Sequence, residues 1–174
     1  MRAKDILRLL GGGDRRSLGR CEEVAAMVAR QPRLLSALMA GLWSEDLVVR
    51  MRAADAIEKV TRAAPGLLRR YKRELLGLLA EAEQAEVRWH LAAMVPRLPL
   101  SPAECRHAAS LLQLYLDDRS SIVKTFALQG LSDLAQQEPS LRGSVLELLR
   151  QSVRNGTPAM KARSRKLLAR LEEE

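Results

Sequence analysis

Apolar and polar positions along this chain follow two periods at once. Within short blocks, apolar or small residues recur at offsets of four, seven and eight, which places them on one face of an α-helix. With Val49 as position zero, Ala53, Ala56 and Ile57 take those offsets and Val60 takes eleven. Similar blocks begin at Val87, Val123 and Met160, so the successive spacings are 38, 36 and 37 residues. Their corresponding positions read Leu91, Met94, Val95 and Leu98; Ala127, Gly130, Leu131 and Leu134; Ser164, Leu167, Leu168 and Leu171. Each block predicts an amphipathic helix, and the longer period makes the four helices equivalents of one another.

A second helix is predicted ahead of each block, over RLLSALMAGLW, LLRRYKRELLGLLAEA, PAECRHAASLLQLYL and LRGSVLELLRQSV. Breakers and caps fall between them. Ser101-Pro102-Ala103-Glu104 combines an N-cap serine, a proline at the first helical position and a glutamate at the third, the capping-box arrangement. Gly156-Thr157-Pro158 opens the last helix in a similar way. Pro65 and Pro139 each stand sixteen residues after their position zero, where a helix should stop. The organisation expected is a single domain over 1–174, with a degenerate N-terminal segment at 1–32 and helix pairs at 33–65, 66–100, 101–139 and 140–171.

Helix pairs of this period, with an acidic turn residue, a Val-Arg pair and small residues after it, resemble the HEAT-repeat family in its small bacterial form. The stretch DLVVRMRAADAI from Asp46 carries the likeness best, and it extends over 33–171. The second block keeps Glu86-Val87-Arg88 but has bulky Leu91 and Met94, and the fourth has Met160-Lys161 without the acidic turn residue. The resemblance implies an all-α fold, a right-handed α-solenoid of antiparallel helix pairs whose second helices line a concave surface. It also implies an inter-repeat ladder of ion pairs, which falls here on Asp46, Arg50, Glu86, Arg88, Asp118, Lys124 and Lys161. A row of phosphate ligands is the competing reading of the four cations among them.

If offsets zero, four, seven and eight are buried, offsets two, six and nine face the groove. The partner-binding face expected on that basis comprises Met51, Asp55 and Glu58, then Trp89, then Thr125 and Gln129, with Arg52 and His90 at its edge at offset three. Phe126 and Arg163 share that edge. Trp89 serves either as an anchor for a peptide or base, or as packing between adjacent second helices.

Composition narrows the chemistry. The chain has 174 residues, 47% of them hydrophobic, but only one Phe, two Tyr and two Trp, which favours packing of aliphatic helices. Two cysteines and two histidines give neither a disulfide framework nor a metal-site spacing, so no metal or cofactor is expected, and a reducing cytoplasm fits best. No apolar run approaches the roughly 20 residues of a membrane span, and MRAKDILRLLGGGDRR is too interrupted for a secretory signal. No catalytic motif can be placed, so a protein or peptide partner is expected rather than a reaction. The net charge of +8 keeps nucleic acid as an alternative. Arg154 to Arg170 is rich in cations and free of acids, with Arg163, Arg165, Lys166 and Arg170 as candidate phosphate contacts; the alternative is a solvated face. Arg2, Lys4, Arg8, Arg15, Arg16 and Arg20 form a second basic set. Gly11, Gly12 and Gly13 lack the strand and the Gly-Lys-Ser/Thr of a phosphate loop and read as a flexible joint. A weaker alternative likens Trp89 and Asp55 to the lesion site of HEAT-like alkylpurine DNA glycosylases, by analogy of fold.

Overall fold

A computed structural model describes residues 3–14 and 17–173, with side chains from Asp5 onward. Arg2, Arg15, Arg16 and the side chain of Lys4 lie outside that description. The described chain is all-helical, without a strand. Its α-helices are α1 (Ala3–Leu10), α2 (Cys21–Arg30), α3 (Leu35–Ala40), α4 (Leu47–Ala63), α5 (Lys72–Glu81), α6 (Ala85–Met94), α7 (Pro102–Leu114), α8 (Ser121–Gln137), α9 (Arg142–Asn155) and α10 (Pro158–Glu173).

The predicted boundaries coincide with local chemistry. The Ser101 hydroxyl accepts from the Glu104 amide (3.3 Å) while the Glu104 carboxylate accepts from the Ser101 amide (2.7 Å), which completes the capping box of α7. Asp46 caps α4 by accepting from the Val48 amide, and Ser120 caps α8 by accepting from Val123. Helices α4 and α8 end just before Pro65 and Pro139, and each proline begins a short 3-10 turn. The second block departs from expectation. Helix α6 stops at Met94 rather than reaching offset eleven, because Pro96 has no amide for the ladder and its ring clashes with the carbonyl four residues back. Leu98 is nonetheless buried, reaching the core from extended backbone.

Two compact units divide the chain at Arg70 and Tyr71. In the first, α4 is the central element, packed against α1, α2 and α3. Val49, Ala53, Ala56, Ile57 and Val60 meet a core that includes Ile6, Leu10, Val24, Val28, Leu35, Leu38 and Leu42. Each fully buried leucine or isoleucine there contributes about 1.5–3 kcal/mol. Gly41 lets α3 approach closely, since a Cβ there would stand 2.8 Å from that of Ala53 and 2.9 Å from the Leu7 side chain.

In the second unit α8 is central, packed against α6, α7, α9 and α10. Helices α6, α8 and α10 lie side by side, and the predicted seam residues Val87, Leu91, Val123, Ala127, Leu131, Leu134, Leu167 and Leu171 are all buried. Gly130 sets the closest approach: a Cβ there would stand 2.7 Å from the Ala92 carbonyl oxygen. Buried Tyr115 donates its hydroxyl to the Leu79 carbonyl (2.7 Å), and burial pushes that hydroxyl's pKa up.

Candidate functional site

The second unit carries a strip of half-buried side chains across α6, α8 and α10. Trp89 stacks on its neighbour His90, with ring centroids 3.3 Å apart, and lies 5.0 Å from the Phe126 ring at a tilt of 38°. The Arg163 guanidinium stands 5.9 Å from the centre of the Phe126 ring, within cation–π range. Its Nη1 donates to Gln129 Oε1 (2.6 Å). Gln129 in turn donates to Asp133 Oδ1 (2.9 Å), which also accepts from Arg170 (2.7 Å), and Arg170 donates to Ser132 Oγ as well. Three helices are thus tied by a chain of aromatic and polar contacts that runs through half-buried Trp89 on α6, Phe126, Gln129 and Asp133 on α8, and Arg163 and Arg170 on α10.

These contacts sort the expected site residues. Trp89 and Gln129 are half-exposed, as a contact surface needs, whereas Thr125 is buried and donates its hydroxyl to the Ser121 carbonyl (2.7 Å). His90 is buried, with Nδ1 against the Glu86 carbonyl. Among the candidate phosphate contacts, Arg163 and Arg170 are engaged by Gln129 and Asp133, while exposed Arg165 and Lys166 make no hydrogen bond or ion pair among the described residues. Lys166 lies three residues after Arg163 and four before Arg170, on the same face of α10. Ser132 stands at offset nine of the groove-facing row, whereas Asp133 lies outside that row; the i, i+4 spacing of Gln129 and Asp133 is the signal for it in the sequence.

Of the expected ladder, the structure joins Arg88 and Asp118 at 2.6 Å. Arg88 also donates to the Ala82 carbonyl, and Asp118 accepts from the Ser120 amide. Burial opposes ionisation of Asp118, but the Ser120 amide, Arg88 and the field of Lys124 outweigh it and lower its pKa. Arg50 makes the equivalent backbone contact, donating to the Ser44 carbonyl at 3.0 and 2.8 Å, while Asp46 is occupied as a cap. Glu86 sits half-buried in the first turn of α6. Lys161 has no ion pair among the described residues, and the starts of α8 and α10 are linked by the Ser121 and Thr157 hydroxyls (2.7 Å).

The expectation for α4 is corrected. Met51, Arg52, Asp55 and Glu58 are all buried, at 6% exposure or less, and so do not line an open groove within their unit. Arg52 donates to the carbonyls of Leu10, Gly12, Asp14 and Ser17 at 2.6–3.1 Å, closing the loop between α1 and α2 around its guanidinium. The glycines that read as a flexible joint form part of this cage. Gly12 and Gly13 adopt φ of +76° and +73°, and a Cβ on Gly19 would stand 2.8 Å from the guanidinium carbon. The sequence signal was the glycines themselves, left-handed turns that aim carbonyls inward. Asp55 pairs with Lys59 (2.9 Å), which also holds Glu22, and Glu58 pairs with Arg62 (2.6 Å). Cys21 lies beside them, and burial together with the Asp55 charge pushes its thiol up to about 12, so it stays protonated at neutral pH.

The chain matches no protein-family model, and no curated protein matches it in sequence. Among the described residues no helix is long and apolar enough to cross a membrane.

Proposed function

We propose that this chain is a non-catalytic scaffold of the HEAT-repeat type, an α-solenoid that binds a protein or peptide partner along its second helices. The strip formed by Trp89, Phe126, Gln129 and Arg163 carries the reading. Half-exposed aromatic faces beside a fixed guanidinium offer large contact area at low entropic cost, and Trp and Arg dominate the energetics of protein interfaces. The Gln129–Asp133–Arg170 chain holds that surface in one arrangement before a partner arrives, which lowers the cost of association. The equivalence of α4, α6, α8 and α10 at a spacing of 36–38 residues supports the repeat assignment.

Affinity capture from the native cell, comparing the wild type with Trp89→Ala, tests this reading. The partner should be lost, an effect of about 2 kcal/mol or roughly 30-fold in Kd, with little change in Tm. Retention of the partner by the variant, or a drop in Tm of the size that follows truncation of a core residue, would sink it.

A second reading, nucleic-acid binding, is supported by Arg165, Lys166 and Lys161 on α10, which hold no carboxylate among the described residues. It predicts binding to duplex or single-stranded DNA that weakens steeply as salt is added, and no binding at low salt removes it. The glycosylase analogy finds no comparable support, since Asp55 is buried and ion-paired with Lys59.

A further inference from the structure

The first unit contains a half-open hollow of about 610 Å³, lined by Pro32, Arg33, Leu35, Gly66, Leu67, Arg69 and Arg70. Two proline-led 3-10 turns form it, Pro32–Leu34 ahead of α3 and the turn that begins at Pro65 after α4. Its volume falls within the range of about 300–1,000 Å³ typical of ligand sites. Exposed Pro32 and half-buried Leu67 supply apolar surface above buried Leu35, and cations stand on both lining segments: Arg33 on one, Arg69 and Arg70 on the other. Among the described residues no acidic side chain lines it.

Several cations elsewhere in the unit are already matched by carboxylates. Arg20 holds Glu23, Lys59 holds Asp55 and Glu22, and Arg62 holds Glu58. Arg33 and Arg69, by contrast, make no side-chain hydrogen bond or ion pair among the described residues. Like charges gathered around an apolar floor repel one another and are stabilised when an anion enters between them. A small monocarboxylate would satisfy one side of the rim. Cations on both turns instead match carboxylates on both sides of one apolar group.

We infer that this hollow is a binding site for an acidic peptide segment, in which a bulky aliphatic side chain seats on Pro32 and Leu67 while flanking carboxylates pair with Arg33 and Arg69. The site is independent of the aromatic strip: it uses other residues, lies within the other unit, and has no tryptophan in its lining.

The test uses the full chain and a fluorescein-labelled nonapeptide with a central leucine between glutamates, followed by anisotropy. Saturable binding should weaken about tenfold when Arg33→Ser and Arg69→Ser are combined, and about tenfold when the peptide's leucine becomes alanine. Added salt should weaken it further. Both arginines are exposed, so the double variant should keep the wild-type Tm, which is measured alongside. Trp89→Ala should bind this peptide with unchanged affinity, whatever becomes of the partner proposed above. The inference is overturned if the peptide shows no saturable binding at low salt, if the arginine variant binds as well as wild type, or if the leucine-free peptide binds equally. Loss of binding in Trp89→Ala, or stoichiometric displacement by decanoate at lower concentration than the peptide needs, would also overturn it, placing the peptide elsewhere or a small acid in the hollow.

Discussion

Helices α4 and α10 carry the same register and present its outward positions in opposite ways. Offsets two, three, six and nine are Met51, Arg52, Asp55 and Glu58 on α4, and Ala162, Arg163, Lys166 and Ala169 on α10. All four are buried on α4, whereas on α10 three are exposed and Arg163 is half-buried. The difference lies in the neighbours. Helix α4 is packed by α1, α2 and α3 and crossed by the loop that Arg52 holds, while the contacts of α10 are with α8 and α9. A helical period therefore specifies the direction of a side chain, and the rest of the chain decides whether anything covers it.

The largest expected effect follows from that cover. Arg52→Ala would take the donors from the carbonyls of Leu10, Gly12, Asp14 and Ser17, at a cost of about 3–5 kcal/mol, the order seen when one partner of a buried charged contact is removed. Arg163→Ala, on a half-exposed arginine of equivalent offset, should cost about 1 kcal/mol or less. Urea unfolding of each variant decides it, with Trp43 reporting on the first unit in a Trp89→Phe background and Trp89 on the second in a Trp43→Phe background. Equal costs for the two arginines would mean that the loop contributes nothing to holding the first unit together.

Packing within the second unit offers the next contrast. Gly130→Ala would drive a methyl group to 2.7 Å from the Ala92 carbonyl and 2.9 Å from Leu112, and should destabilise by about 1–3 kcal/mol as α6 and α8 separate. Gly77 lies on the exposed face of α5 with open space around its missing side chain. Gly77→Ala should therefore stabilise by about 0.5–1 kcal/mol through helix propensity alone. Thermal denaturation should show the two Tm shifts with opposite signs. A neutral Gly130→Ala would show that the approach of α6 to α8 relaxes without loss.

How much of this was legible follows the same division between local and tertiary information. The seam of Val87, Leu91, Val123, Ala127 and Leu131 could be read from spacing, because a 3.6-residue period is a property of the local chain. The capping box at Ser101 and Glu104 is local too. The cage around Arg52 joins residues up to 42 positions apart, and no periodic pattern encodes where a loop will lie. The same holds for the hollow, whose arginines come from two turns that are distant in sequence but adjacent in the fold. Pro96 is a breaker visible in the sequence, but the apolar register continues to Leu98 after the helix has ended, so spacing alone extends α6 too far. For the strip, spacing placed Trp89 and Gln129 on one face, but the linkage through Asp133 to Arg170 depends on the side-by-side packing of α8 and α10.

The smallest effect expected concerns surface charge, where α7 differs from both helices compared above. Glu104 accepts from Lys72 (2.8 Å) and from the Ser101 amide, and these contacts hold its carboxyl at about 2, below the ordinary 4.5. A carboxylate with a lowered folded-state pKa adds stability that is fully present above about pH 4.5 and is lost as pH falls toward 2. Glu104→Gln keeps a group able to accept from the Ser101 amide but removes the charge that Lys72 meets. The variant should therefore have a slightly lower Tm than wild type at pH 7, the gap narrowing below pH 4.5 and closing near pH 2. Because the pair is half-exposed, added salt at pH 7 should shrink the gap as well. A gap that persists unchanged at pH 2 would assign the effect of Glu104 to its shape within the capping box rather than to its charge.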